Sequence, residues 1–159
     1  MNLIRWTAVA GLVVATGACG GATGPDASVR LGDIRLSVSS SSAEVVRGSP
    51  VTFRVELINE GGEAATLHFG DSCQINPYLR NAVGHVVLPT GGGWGCATVI
   101  TQLTLLPGQP VVREYVWTGS TAFQYEMPLR SLPPGKYFFT AEVPQGEATL
   151  RATTEITLR

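Results

Sequence analysis

Val51-Thr52-Phe53-Arg54-Val55-Glu56-Leu57-Ile58-Asn59 is the stretch on which the fold turns. Val51, Phe53, Val55 and Leu57 alternate with Thr52, Arg54 and Glu56, the period of two that puts apolar side chains on one face of a strand and polar ones on the other. Val and Phe suit a half-buried pleated surface, and no Pro interrupts the ladder. Asn59 and Glu60-Gly61-Gly62 supply the turn that ends it. The spacing predicts a core strand of a sandwich.

Similar segments lie on both sides. Ile34, Leu36 and Val38 alternate with Arg35 and Ser37, and Glu44-Val45-Val46 resumes after Ser39 to Ser42, which predicts a first strand with a kink or bulge. Thr66-Leu67-His68-Phe69 is a short strand, and Gly70-Asp71-Ser72 turns the chain into Cys73. Ile75 to Arg80 and His85 to Leu88 flank Asn81-Ala82-Val83-Gly84 as a hairpin would, with Pro77 marking the first arm as an edge. Val99, Thr101, Leu103 and Leu105 share one face of a further run. Leu105-Leu106-Pro107-Gly108 and Leu132-Pro133-Pro134-Gly135 share a Leu-x-Pro-Gly pattern whose Pro-Gly pair fits the centre of a type II turn. Strands follow each, over Val111 to Trp117 and Tyr137 to Val143. In the last strand Leu150, Ala152, Ile156 and Leu158 face one way. About eight short strands with frequent turns and no helical period predict an all-β antiparallel sandwich.

The ends and the composition set the context. Among 159 residues the formal net charge is −1, which excludes the basic footprint of a nucleic-acid binder, and the length suits one domain with a working core. Arg5 precedes a mostly apolar run from Trp6 to Ala15, and Thr16-Gly17-Ala18 supplies small residues before Cys19. That order is expected of a secretory leader, and the run is too short to span a bilayer, which takes about 20 apolar residues. The stretch resembles a bacterial lipoprotein signal: residues 1–18 would be removed and Cys19 would carry the lipid. Cleavage after Ala22 by an ordinary signal peptidase is the alternative. Gly20 after the Cys favours the outer membrane, so the expected location is the bacterial cell envelope, facing the periplasm or the exterior. Residues 19–33, rich in Gly, Ala, Thr, Ser, Pro and Asp, read as a flexible tether with a root-mean-square span of about 20 Å. The folded domain would then occupy residues 34–159.

With Cys19 assigned to lipid, Cys73 and Cys96 remain, and in an exported chain they are expected to pair. On the chain-entropy estimate such a bond stabilises by roughly 3 to 4 kcal/mol. It would also anchor one end of Pro89-Thr90-Gly91-Gly92-Gly93-Trp94-Gly95, too Gly-rich to hold a shape alone. Two placements of Trp94 follow: an ordered, exposed anchor with Thr90 and Gly93 beside it, or a plug folded back on the sandwich edge.

From Thr52 onward the chain resembles the bacterial intracellular proteinase inhibitor family, the BsuPI-like domain. The resemblance rests on the strand over residues 51–59, on Tyr78-Leu79-Arg80-Asn81 leading to Gly84 and Val86-Val87, and on Leu105-Leu106-Pro107-Gly108-Gln109 leading to Tyr115 and Trp117. Leu132-Pro133-Pro134-Gly135-Lys136-Tyr137 closes the set, so that it covers about residues 43 to 143. It implies an immunoglobulin-like sandwich and protease inhibition.

Catalytic and metal signatures are weak. His68 and His85 sit beside no nucleophile element such as Gly-x-Ser-x-Gly. A copper set drawn from His68, Cys73, His85, Cys96 and Met127 lacks the tight late-loop spacing of such centres, and Glu60, Glu63 and Asp71 are too few and too spread for calcium. No cofactor or metal is expected. The leading expectation is a lipid-anchored, non-catalytic binding or assembly module with a protein partner. The alternative is a protease inhibitor presenting the disulfide-anchored loop, or the Thr118 to Met127 connection with Phe123 and Tyr125 as anchors.

Overall fold

The computed structural model describes residues 27–123 and 130–159, and the fold it shows is an all-β sandwich. In chain order the strands are β1 (Ala27–Leu31), β2 (Ile34–Ser40), β3 (Glu44–Val45), β4 (Val51–Asn59), β5 (Ala65–Phe69), β6 (Asn76–Asn81), β7 (Val86–Leu88), β8 (Thr101–Leu105), β9 (Val111–Trp117), β10 (Gly135–Gln145) and β11 (Ala148–Leu158). One sheet runs β1-β2-β4-β9 and the other β3-β11-β10-β6-β7, while β5 and β8 form a separate ribbon. All pairings are antiparallel except β3 with β11.

The alternation of β4 holds residue by residue: Val51, Phe53, Val55 and Leu57 are buried. β4 sits between β2 and β9, so both its edges are paired. Its inward face meets β10 across the sandwich, where Phe53 stacks on Phe139 with ring centroids 4.2 Å apart. Trp117 closes the same layer edge-on to Tyr137 and donates its indole N–H to Ser120 O at 2.8 Å. Offset and edge-on contacts of this kind add to what burial alone supplies.

Asn59 ends β4 as expected, but it is buried and does more than turn the chain. Its Nδ2 donates to Glu63 O at 2.6 Å and to Leu105 O at 3.1 Å, and its Oδ1 accepts from Gly61 N at 2.9 Å. One side chain thereby ties the β5–β8 ribbon to the end of the central strand. Leu67, Phe69 and Leu105 of that ribbon enter the core.

Several expectations require correction. The sheet begins within the expected tether, since β1 pairs with β2 from Ala27 opposite Val38 to Leu31 opposite Ile34. Pairing of backbone groups along a buried neighbour orders a segment that composition alone reads as loose. Eleven strands, not about eight, lie among the described residues: β1 falls in the expected tether, and the expected kinked first strand is two strands, β2 and β3, in different sheets. β6 is not an edge over its whole length: β7 pairs with it at Leu79 and Arg80. That pairing stops before Pro77, which has no N–H to offer a ladder. β8 starts at Thr101, so Val99 lies outside the strand and off the inward face assigned to it.

Candidate functional site: a loop braced by Cys73 and Cys96

Two connections meet beside β6 and β9: residues 70–75 between β5 and β6, and residues 89–100 between β7 and β8. The second leaves β7 through a cis Leu88–Pro89 bond, and Gly92 N donates to Pro89 O at 3.0 Å. Gly91 and Gly92 both take positive φ, 95° and 87°, a pair of conformations that side-chain-bearing residues resist. That is the use of the glycine run, which brings Trp94 back against the body.

Trp94 is the plug. Its indole N–H donates to Pro77 O at 2.9 Å, at the stretch of β6 that β7 leaves uncovered, and its half-buried ring packs against the margin of the core with Ile75 and Tyr115. As an exposed anchor it is ruled out by that contact. Thr90 and Gly93 are exposed, and Thr90 Oγ1 donates to Thr121 O at 3.3 Å.

Beyond Trp94 the chain is fixed to the 70–75 connection at successive points. Cys96 is disulfide-bonded to Cys73, with Cα atoms 5.5 Å apart. Ser72 N donates to Ala97 O at 3.0 Å, and Ala97 N donates back to Ser72 Oγ at 2.9 Å. Thr101 Oγ1 donates to Asp71 O at 2.7 Å, and Gln74 Nε2 reaches Gln102 O at 3.3 Å. Asp71 Oδ1 accepts from Cys73 N at 2.8 Å, which sets the turn that presents the cysteine. Between the braces, Val99 N donates to Ala97 O at 2.9 Å, a three-residue turn about Thr98. Val99 and Ile100 project from this segment, 51% and 83% exposed. Sequence reasoning missed both, because it placed Val99 inside a strand. The available signal was the composition: no Asp, Glu, Lys or Arg occurs between Val86 and Val112.

The other sequence-derived candidates fare differently. Phe123 is 6% exposed, edge-on to Phe139 at 5.7 Å and beside Tyr115 at 5.9 Å, so it is a core residue and no surface anchor. A period of two could not place it, since the β9–β10 connection has none. Tyr125, Met127 and Cys19 lie outside the described residues. His68 and His85 are exposed on β5 and in the β6–β7 turn, and neither imidazole meets a carboxylate among the described residues. Asp71 lies within 4.8 Å of the Cys73 and Cys96 sulfurs, yet those sulfurs are joined to each other and are not thiolate ligands in this state.

The fold and the site together define a β-sandwich with a cystine-braced loop on one edge. The family model described as BsuPI, intracellular proteinase inhibitor, matches residues 37–148, and the chain belongs to that family. No curated protein matches closely enough to count as a relative. Among solved structures, a β-glucosidase from Listeria innocua in complex with glucose is 14% identical with a TM-score of 0.44, covering 79% of this chain and 16% of that one. A β-glucosidase from Erythrobacter marinus, EmGH1, is 16% identical with a TM-score of 0.42, covering 76% and 14%. The chain thus spans about a sixth of those enzymes' length, and likeness at that level carries no functional argument.

Proposed function

We propose that this protein is a non-catalytic proteinase inhibitor that presents the braced 89–101 segment to a protease cleft. The observation that carries the reading is the family match, which runs from within β2 to the start of β11 and includes Cys73, Cys96 and all the chain between them. The geometry supports it physically. An inhibitor loop that is ordered before binding loses little conformational entropy on docking, whereas a loose loop loses affinity to its own ordering. Here the disulfide, the Ser72–Ala97 pair of hydrogen bonds and the Trp94 contact supply that order. Trp94 therefore acts from behind the loop as a support.

The test is a titration of the purified, oxidised protein against serine, cysteine and metallo-proteases. Stoichiometric inhibition of at least one, weakened by reduction of the cystine, is the expected result. No inhibition by a domain that stays intact would overturn the reading and leave a binding module that works through its strand edges. The exported, lipid-anchored form belongs to the same proposal. The Cys73–Cys96 cystine supports an oxidising compartment, and mass spectrometry of the membrane fraction for a lipidated Cys19 would test the anchor.

A further inference from the structure

We infer that Ile100, with Val99 beside it, is the side chain the protein offers to the specificity pocket of its protease, and that the target proteases have an apolar pocket there. The inference rests on the inhibitor reading and goes beyond it by naming the contact residue and the target class. Three independent observations converge on this pair. Six large apolar residues are exposed among the described residues, and Val99 and Ile100 are the two that stand next to each other in sequence. The others, Leu31, Val46, Val83 and Leu106, are scattered singly as on any protein surface.

The pair is also held on both sides. Ala97 is hydrogen-bonded twice to Ser72, Cys96 is bonded to Cys73, and Thr101 is fixed to Asp71 O and paired with Phe69 as β8 begins. Both side chains are β-branched and stiff at χ1, so little rotamer freedom is left to lose on insertion. An exposed apolar group on a fixed backbone is what a binding anchor requires.

Charge selects the target class. From Val86 to Val112 the chain carries no Asp, Glu, Lys or Arg, and the nearby Asp71 carboxylate is engaged by Cys73 N. Arg113 of β9 lines the hollow beside Trp94 and Cys73, but the loop itself carries no cation, so a pocket with a buried carboxylate that takes up Ile100 would be left unpaired by it. An apolar pocket instead takes up Ile100 and removes its surface from water.

The experiment measures inhibition constants of the purified protein against elastase and chymotrypsin, whose specificity pockets are apolar, and trypsin, whose pocket is acidic. The wild type should inhibit one of the first two and spare trypsin. Ile100→Asp should weaken that inhibition by about 100-fold, and Ile100→Arg should transfer inhibition to trypsin, with circular dichroism and a free-thiol assay showing the fold and cystine intact. If the wild type inhibits but Ile100→Asp and Val99→Asp leave the constant unchanged, or if only trypsin is inhibited, this inference falls while the inhibitor reading stands. If the wild type inhibits no protease, both fall.

Discussion

Trp94 joins the loop to the body through one hydrogen bond and one ring face, so its removal separates support from contact. Trp94→Ala forfeits the bond to Pro77 O and the packing against the core margin. A shift of the urea midpoint equivalent to about 2 kcal/mol is expected, with little change in the denaturant slope because the sandwich itself stays folded. A midpoint unchanged from wild type would show that the contact holds nothing. Just past the end of β4, Glu60 faces Arg35 Nε and Arg30 Nη2, each at 2.7 Å. The hydrogen bond from Arg35, with the field of both guanidiniums, holds its carboxyl below the usual glutamate value of 4.5 against a smaller opposing effect of desolvation. Since the folded-state pKa is the lower one, the stabilisation is fully present above the unfolded value and is lost as pH falls through the folded value. Glu60→Gln should therefore be less stable than wild type at neutral pH, with the difference vanishing in acid. A difference that persists at low pH would place its origin elsewhere. Trp94 as a plug was one of two placements the sequence left open. The Glu60 cluster was illegible, because it depends on which side chains the β1–β2 and β4–β5 turns bring together.

At the scale of elements, alternation made β2, β4 and β11 readable in advance, since each buries every second residue over most of its length, while β9, which buries only Trp117, was legible from the Leu-x-Pro-Gly turn before it. The same rule failed where backbone pairing rather than burial fixes the strand. β1 buries little yet runs its full length against β2. It failed again at Val99, where parity continued in the sequence but the braces to Asp71 and Ser72 delayed the strand to Thr101. The first Leu-x-Pro-Gly turn formed as expected, with Gln109 N donating to Leu106 O at 3.2 Å. The described parts of the β9–β10 connection were opaque because tertiary contacts, such as those of Phe123 with Phe139 and Tyr115, place them. Gly119 is the tightest point described in it: buried, at φ 78°, with space for a Cβ only 2.7 Å from Leu158 Cδ1. Gly119→Ala combines a disfavoured left-handed backbone with an overpacked contact, and a loss of about 3 kcal/mol in thermal or denaturant unfolding is expected. A loss under about 0.5 kcal/mol would mean that Leu158 moves aside freely.

For the molecule as a whole, the sandwich is a frame that holds the 89–100 connection both exposed and fixed. The aromatic layer of Phe53, Trp117, Tyr137 and Phe139 joins the sheets, and Asn59 ties the β5–β8 ribbon to the central strand. That ribbon carries the brace, because Thr101 opens β8 and Phe69 ends β5 immediately before residues 70–75. The cystine and the loop's location were legible from Cys73, Cys96 and the glycine run. Its contact residues were not, since exposure is a property of the assembled edge. On the proposed function, this braced segment is where a protease docks. Hydrogen exchange of the protein, alone and mixed with a catalytically inactivated form of a protease it inhibits, tests that claim most directly. Slowed exchange within residues 89–101, with the β3–β4 and β10–β11 connections unchanged, is the predicted result. Exchange in residues 89–101 that stays at its free rate, or a footprint on the β1 edge or at residues 46–50, would contradict it.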